Sequence, residues 1–251
     1  MGRRGISVED ASRWVFNRLA TDYRARPGYP DALVERLVAL GGVGPAVVDL
    51  GAGTGLLALP LGVRGIHVRA VEPAIAMLEV LREGAAGIPV EPVHAAAEAT
   101  GLPPGAASLV FLADALQWVE PERTGIEAAR LLSPGGVLAV VEARLGGSPF
   151  ADAIACLIAA ENPRAAARPA SRLDQFLAAA GVREVTRERF PSEEHLPPER
   201  LEAVLRSLSL VGPALGPSRL LALLASAREL ADRAGGATWT RELTLSWGRA
   251  A

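Results

Sequence analysis

The sequence contains no lysine and a single cysteine, and these absences exclude several kinds of chemistry. All 26 cationic residues of the 251-residue chain are arginines, so neither a lysine Schiff base nor the lysine of a phosphate-binding P-loop is possible. Cys156 alone cannot form a disulfide within the chain or a multi-cysteine metal site. The three histidines, His67, His94 and His195, are too scattered to predict a metal site.

Aromatic residues and long apolar runs are also scarce. Only 4% of the residues are aromatic while 50% are hydrophobic, so aliphatic side chains must fill the core. No run approaches ~20 apolar residues, and the charged N-terminus lacks the apolar core of a signal peptide. A net charge of −2 without a basic region argues against binding to nucleic acid or an anionic membrane. We therefore expect a soluble, cytoplasmic, globular protein, monomeric or homodimeric.

Short apolar runs alternate with helical patterns through the middle of the chain. The runs predict five strands, at residues 46–50, 67–72, 89–93, 108–112 and 137–141. Because the first run is apolar without alternation, it indicates a strand buried on both faces of a parallel sheet. The repeated order of strand, turn and helix predicts a doubly wound, Rossmann-like α/β fold.

Both ends of the chain are predicted to add elements to this sheet. Helical spacing predicts helices at residues 7–21, 31–40, 149–160, 171–180, 198–210 and 217–234. Two late strands, at 184–190 and 238–247, have no crossover motif between them. We therefore expect a seven-stranded, mostly parallel sheet with an antiparallel C-terminal edge, an N-terminal helical lid and a C-terminal helical insertion.

A glycine-rich loop follows the first predicted strand and precedes a helix, the context in which such loops bind nucleotides. Gly51, Gly53 and Gly55 occupy alternate positions, which lets the backbone approach a ligand closely. Leu56 stands where the dinucleotide fingerprint requires a glycine. Asp49, just before the loop, would repel a pyrophosphate and attract a cation. These residues leave a nicotinamide-dependent oxidoreductase as the weaker alternative.

Glu72 closes the second predicted strand, about 20 residues after Gly51, the spacing at which an acidic side chain reaches the ribose in a Rossmann-type crevice. Asp49 and Glu72 together indicate a nucleoside that carries positive charge rather than phosphates. S-adenosylmethionine, with its ammonium and sulfonium groups, has this character.

At these residues the chain resembles the class I S-adenosylmethionine-dependent methyltransferases. Asp49–Gly55 matches their D/E-x-G-x-G-x-G loop, and Val71–Met77 matches their second motif. Residues 97–103 resemble the loop that covers the adenine, and residues 130–138 resemble the turn into the fifth strand. The resemblance implies S-adenosylmethionine as the cofactor.

The entry segment at residues 16–30 and the segment Ala115–Trp118 are similar to the small-molecule branch of that family, which includes the trans-aconitate methyltransferases. This similarity implies a small-molecule acceptor, and we expect that acceptor to present a carboxylate or another oxygen nucleophile. It also implies one methyltransferase domain, with a helical cap at 1–45, a cofactor-binding core at 46–145, and acceptor-side helices and the last two strands at 146–251.

The resemblance also implies a set of cofactor-binding residues, and we expect no metal site. Arg26 would meet the cofactor's carboxylate, and Tyr23 would close the site. Ala96 departs from the family pattern, which usually has an aspartate there for the adenine amino group, so a backbone group or water must substitute. The full set is Tyr23, Arg26, Asp49, Gly51, Ala52, Gly53, Gly55, Glu72, Pro73, Met77, Ala97 and Glu98.

Three residues are candidates for the catalytic site. Asp114, Gln117 and Arg144 follow the fourth and fifth strands, at the edge where open sheets bind ligands. Relatives often have histidine where Gln117 stands, and glutamine cannot act as a general base at neutral pH. A carboxylate acceptor needs no base, and an arginine such as Arg144 suits its recognition. A non-catalytic protein that binds S-adenosylmethionine is a further alternative.

Overall fold

The computed structural model describes residues 8–42, 44–165 and 171–250. The helices are α1 (Val8–Tyr23), α2 (Asp31–Gly41), α3 (Ala58–Val63), α4 (Ile75–Gly84), α5 (Pro121–Leu131), α6 (Pro149–Glu161), α7 (Ser171–Ala179), α8 (Pro198–Ser207) and α9 (Pro217–Arg233). The strands are β1 (Val47–Leu50), β2 (Val68–Val71), β3 (Val90–Val93), β4 (Ala107–Ala113), β5 (Leu132–Leu145), β6 (Thr186–Leu196) and β7 (Ala237–Arg249). Two short 3-10 helices span Leu116–Trp118 and Pro163–Ala165.

The seven strands form one sheet in the order β3-β2-β1-β4-β5-β7-β6. Strands β1 to β5 pair in parallel, whereas β7 runs antiparallel between β5 and β6. The predicted seven-stranded sheet with an antiparallel C-terminal edge is therefore confirmed. The strand order reverses between β1 and β4, and open α/β sheets bind ligands at the carboxyl ends of strands beside such a point.

The core lies on both faces of this sheet because the central strands alternate their side chains between two helical layers. Val47 packs with Leu33 and Leu37 of α2 in one cluster. Val48 packs with Phe176 of α7 in the other. All four residues of β1 are buried, as its continuous apolar run predicts. A third cluster joins α6, α8 and α9 to Trp239 of β7 and forms the core of the helical insertion.

Strand β6 extends beyond the predicted strand, from Thr186 to Leu196 rather than from 184 to 190. It pairs with β7 along its whole length. Pro191 and the acidic residues after it resemble a loop, yet an edge strand tolerates a proline because one side of its backbone needs no partner. The structure also extends β5 to Leu132–Leu145, beyond the predicted 137–141, since its last residues pair with β7.

The N-terminal helix α1 packs over the carboxyl ends of the strands and against α4 and α8. Its buried Leu19 and Ala20 contact a small cluster with Ala74 and Met77. None of the described helices is long and apolar enough to cross a membrane.

Candidate active site

A cleft of about 640 Å³ opens at the carboxyl ends of β1, β2 and β4. Tyr23 and Phe16 of α1 cover it from above. The lining residues are Phe16, Tyr23, Gly51, Gly53, Glu72, Pro73, Met77, Ala96, Ala97, Glu98, Ala113, Asp114, Ala115, Trp118 and Val119. We call this space the cofactor cleft.

Gly51 and Gly53 bring the loop backbone directly to the cleft wall. Their φ angles are +78° and +57°, in the left-handed region that favours glycine. A Cβ on Gly51 would lie 2.8 Å from the Cβ of Ala115 on the opposite side of the loop. A side chain at Gly51 would therefore fill the space between the loop backbone and Ala115.

Glu72 lies at the end of β2 and is only 5% exposed. Its Oε2 accepts a hydrogen bond from the Gly53 N–H at 2.9 Å, and its Oε1 accepts one from the Ala74 N–H at 2.7 Å. Burial raises the pKa of the Glu72 carboxyl to about 7, and the two backbone donors oppose that rise. Each carboxylate oxygen keeps a lone pair for a ligand hydroxyl.

Asp49 lies behind the glycine loop rather than on the cleft wall. It is 2% exposed, and its Oδ1 has no hydrogen-bond partner. Burial raises the pKa of its carboxyl well above the usual value, and the nearby charge of Glu72 raises it further. Two buried carboxylates thus lie beside the loop, and a positively charged ligand would relieve their repulsion.

The other predicted cofactor residues fall into two groups. Pro73, Met77, Ala97, Glu98 and Tyr23 line the cofactor cleft. The cofactor cleft is not lined by Ala52, Gly55 or Arg26.

Gly55 and Arg26 have structural partners elsewhere. Gly55 packs against α4, where a Cβ would lie 2.7 Å from Leu81. Arg26 donates from Nε to the Ser207 hydroxyl at 3.0 Å and from Nη1 to the Tyr23 hydroxyl at 3.0 Å. Its guanidinium also lies 3.9 Å from the centre of the Tyr23 ring. It faces the neighbouring cavity rather than the cofactor cleft.

Charge of one sign lines the cofactor cleft. Glu72, Glu98 and Asp114 contribute carboxyl groups, and among the described residues no arginine or histidine lines it. Such a cleft repels phosphate groups and attracts a cation. The residues present therefore fit S-adenosylmethionine, which Glu72 and the glycine loop would hold.

A second, larger cavity of about 1840 Å³ adjoins this cleft, and we call it the acceptor cavity. The two share Phe16, Tyr23, Asp114 and Trp118 as walls. Phe16 and Trp118 meet edge to face with ring centroids 5.1 Å apart. Apolar side chains of the helical insertion line the rest of the acceptor cavity, among them Ile158, Val204, Leu208, Val211 and Trp239.

Asp114 stands at the junction in a strained backbone conformation. Its φ is +51°, a value that costs a residue with a Cβ about 1–2 kcal/mol. Its Oδ1 accepts from the Ala143 N–H at 2.8 Å, and its Oδ2 accepts from the Tyr29 hydroxyl at 3.0 Å. Burial raises the pKa of Tyr29 well above its usual value, and the Asp114 charge adds to that rise. Strain held by several bonds is typical of functional positions.

The other two catalytic candidates also line the acceptor cavity. The Gln117 side chain donates from Nε2 to the Asp114 carbonyl oxygen at 2.8 Å. Arg144 is exposed at the end of β5.

Sequence reasoning missed Arg241 of β7, which lines the acceptor cavity with Arg26 and Arg144. A signal for it exists in the alternation of the last strand. Leu243, Leu245 and Trp247 share one face, and by the two-residue period of a strand Arg241 belongs to that inward face.

The described residues contain no group of three or more histidine, cysteine or acidic side chains placed to hold a metal ion.

The chain is similar to known proteins over its central segment. Residues 48–140 match the sequence model of the methyltransferase domain family. Over this segment the chain is similar to the methyltransferases.

Three similar proteins illustrate the match. An uncharacterized methyltransferase of Mycobacterium tuberculosis is 41% identical over 119 residues, which cover 47% of each chain. Malonyl-[acyl-carrier protein] O-methyltransferase of Geobacter sulfurreducens is 35% identical over 136 residues, 51% of each chain. A putative type II methyltransferase of Anaeromyxobacter dehalogenans has the same fold, with a TM-score of 0.65, 24% identity, and coverage of 89% of this chain and 97% of that one. The matches to the curated relatives thus span about half of their length.

Proposed function

We propose that this protein transfers the methyl group of S-adenosylmethionine to an oxygen atom of a small-molecule acceptor. The observation that carries the proposal is the pair of adjoining cavities with opposite charge. Carboxyl groups line the cofactor cleft, whereas three arginines and a single aspartate line the acceptor cavity. The first suits a cationic donor, and the second suits an acceptor with an anionic group.

When bound, the cofactor supplies a methyl group already activated by the positive charge on sulfur. The protein's task is therefore alignment, which can lower a barrier by about 7–11 kcal/mol. In our proposal the glycine loop and Glu72 hold the donor, while Phe16, Tyr23 and Trp118 form the shared wall that excludes water from the reacting atoms.

Asp114 is our candidate for the residue nearest the reacting oxygen, because it lines both cavities. Its carboxylate can accept the proton of a hydroxyl acceptor, a role that the amide of Gln117 cannot take. A carboxylate acceptor would need no base. Arg144, at the exposed end of β5, would steer an anionic acceptor toward the cavity.

A panel of acceptors tests this proposal against the non-catalytic alternative. The protein is incubated with S-adenosylmethionine and with carboxylic acids, alcohols, phenols, amines and thiols of matched carbon skeletons. Mass spectrometry then detects the added methyl group. We expect methylated acids or alcohols, and loss of any methylated alcohol with Asp114→Ala because only a hydroxyl acceptor needs a base. Tight cofactor binding with no methylated product in the panel would favour a binding protein instead.

A further inference from the structure

We propose that Arg241 anchors an anionic group of the acceptor, a group distinct from the atom that is methylated, and that the acceptor is an amphipathic carboxylate. This inference rests on the proposed function for its reaction but has its own test in ligand binding.

Arg241 is a largely buried cation without an acidic partner. Its Nη2 donates to the Gly28 carbonyl and to the Ser192 hydroxyl, the latter at 3.2 Å. Its Nε is buried and makes no hydrogen bond. Burial lowers the pKa of the guanidinium, and the nearby charges of Asp114 and Glu194 only partly oppose this. Neither acid forms an ion pair with it in the part of the chain that the structure describes.

Several other arginines of the chain pair with an acidic side chain. Arg36 pairs with Glu188 at 2.8 Å, and Arg200 pairs with Glu194. A buried guanidinium without a carboxylate is costly, and that cost falls when a ligand brings the missing negative charge. Arg26 lies close enough for its positive charge to lower the pKa of Arg241, so it adds a second positive charge to this part of the cavity.

The position of Arg241 separates the anchored group from the reacting atom. Arg241 lines the acceptor cavity but not the cofactor cleft, whereas Asp114 lines both. A carboxylate held at Arg241 therefore lies away from the donor, and the negative charge of Asp114 disfavours a second one at the junction. Val204, Leu208, Val211 and Trp239 offer an apolar surface for the rest of the molecule.

Calorimetry with decanoate and decanol, in the presence of saturating S-adenosylhomocysteine, tests the anchor without any turnover. We expect decanoate to bind the wild-type protein about tenfold or more tightly than decanol, because only the carboxylate forms a charge-assisted bond. Arg241→Met should abolish this preference while decanol binding stays unchanged. Arg241→Lys should keep part of it.

Arg187→Met is the matched control, since Arg187 is an exposed arginine of the neighbouring β6 outside the cavity lining. The Arg187→Met variant should keep the full preference for decanoate over decanol. Equal binding of decanoate and decanol to the wild type would overturn the proposal even if Arg241→Met failed to fold. If Arg241→Met lowered the affinities for decanoate and decanol equally, Arg241 would have a structural role instead. Failure of the wild-type protein to bind S-adenosylhomocysteine would separately overturn the proposed function.

Discussion

At the scale of single residues, Glu72 and Asp49 connect cofactor binding to pH. Both carboxyl groups are buried beside the glycine loop, and burial raises the pKa of each. An acid whose pKa is raised in the folded protein stabilises the native state at pH values below its ordinary pKa. This stabilisation is lost as the pH rises through the pKa of the folded protein. The ligand-free protein therefore carries a destabilising pair that a cationic ligand offsets.

We expect the affinity for S-adenosylhomocysteine to fall as pH drops below about 7, the pKa of Glu72. The ionised carboxylate accepts hydrogen bonds from ribose hydroxyls better than the protonated one, so binding should weaken by up to about tenfold per pH unit. Calorimetry between about pH 5.5 and 8.5, the range in which Glu72 titrates, measures this affinity. Glu72→Gln should bind more weakly at high pH with a flatter profile. Identical profiles for the two proteins would contradict the assignment.

Arg144 offers a second test at this scale. Because the side chain is exposed, Arg144→Ala should raise the acceptor KM by about threefold, the size of a screened surface contact, and the effect should shrink with added salt. Both kcat and cofactor affinity should stay unchanged. Steady-state kinetics check this, with Arg187→Ala as the control. An uncharged acceptor, or kinetics unaltered by the substitution, would leave Arg144 as a solvated charge.

At the scale of elements, the glycine loop has a matched control within the chain. Gly51 and Gly65 both have a positive φ, +78° and +80°, but only a Cβ on Gly51 would meet another residue. Gly65→Ala should therefore cost about 1–2 kcal/mol of stability and leave cofactor binding intact. Gly51→Ala should also weaken binding of S-adenosylhomocysteine by about tenfold or more. Equal affinities of the two variants would contradict the placement of the loop on the cleft wall.

The helix α1 gives a prediction about the N-terminal region. Deletion of residues 1–28 should leave the sheet folded, because none of the described side chains of α1 belongs to either cluster that packs on the sheet. It should abolish turnover, since Phe16 and Tyr23 line both cavities. Circular dichroism and the acceptor assay check the two parts, and Phe16→Ala provides a milder variant. A truncated protein with full activity would show that the helix does not cover the site.

At the scale of the whole molecule, the sheet was predictable because its signals are local. Continuous apolar runs mark the parallel strands, and the loop at Gly51 follows β1 directly along the chain. The last strand's alternation likewise placed β7 correctly. The length of β6 was not predictable, since its strand character depends on pairing with β7 rather than on its own composition.

The candidate site was predictable only in part, for a related reason. The glycine loop and Glu72 lie close together in sequence, so spacing alone brought them to one crevice. The partners of Arg26 and Arg241 are distant along the chain: Arg26 bonds to Ser207, 181 residues later, and Arg241 bonds to Gly28, 213 residues earlier. Such contacts depend on how the helical insertion packs, which local patterns do not encode.

The opposite charges of the two cavities are the property of the whole molecule on which the proposed function depends. They arise from elements far apart in the chain, since β1, β2 and β4 supply the acidic cleft while α6, α8 and β7 enclose the arginine-lined cavity. A net charge of only −2 means that this contrast is local rather than a field of the whole surface.

Calorimetric titration of the wild-type protein with S-adenosylhomocysteine and, separately, with NAD tests the central claim most directly. The acidic cofactor cleft and the absence of a cation among its described lining residues predict that S-adenosylhomocysteine binds. Glu72→Gln should weaken that binding by about tenfold, the worth of a charge-assisted contact. NAD, which carries a pyrophosphate, should not bind. Micromolar binding of NAD, or no binding of S-adenosylhomocysteine, would contradict the assignment of the cleft.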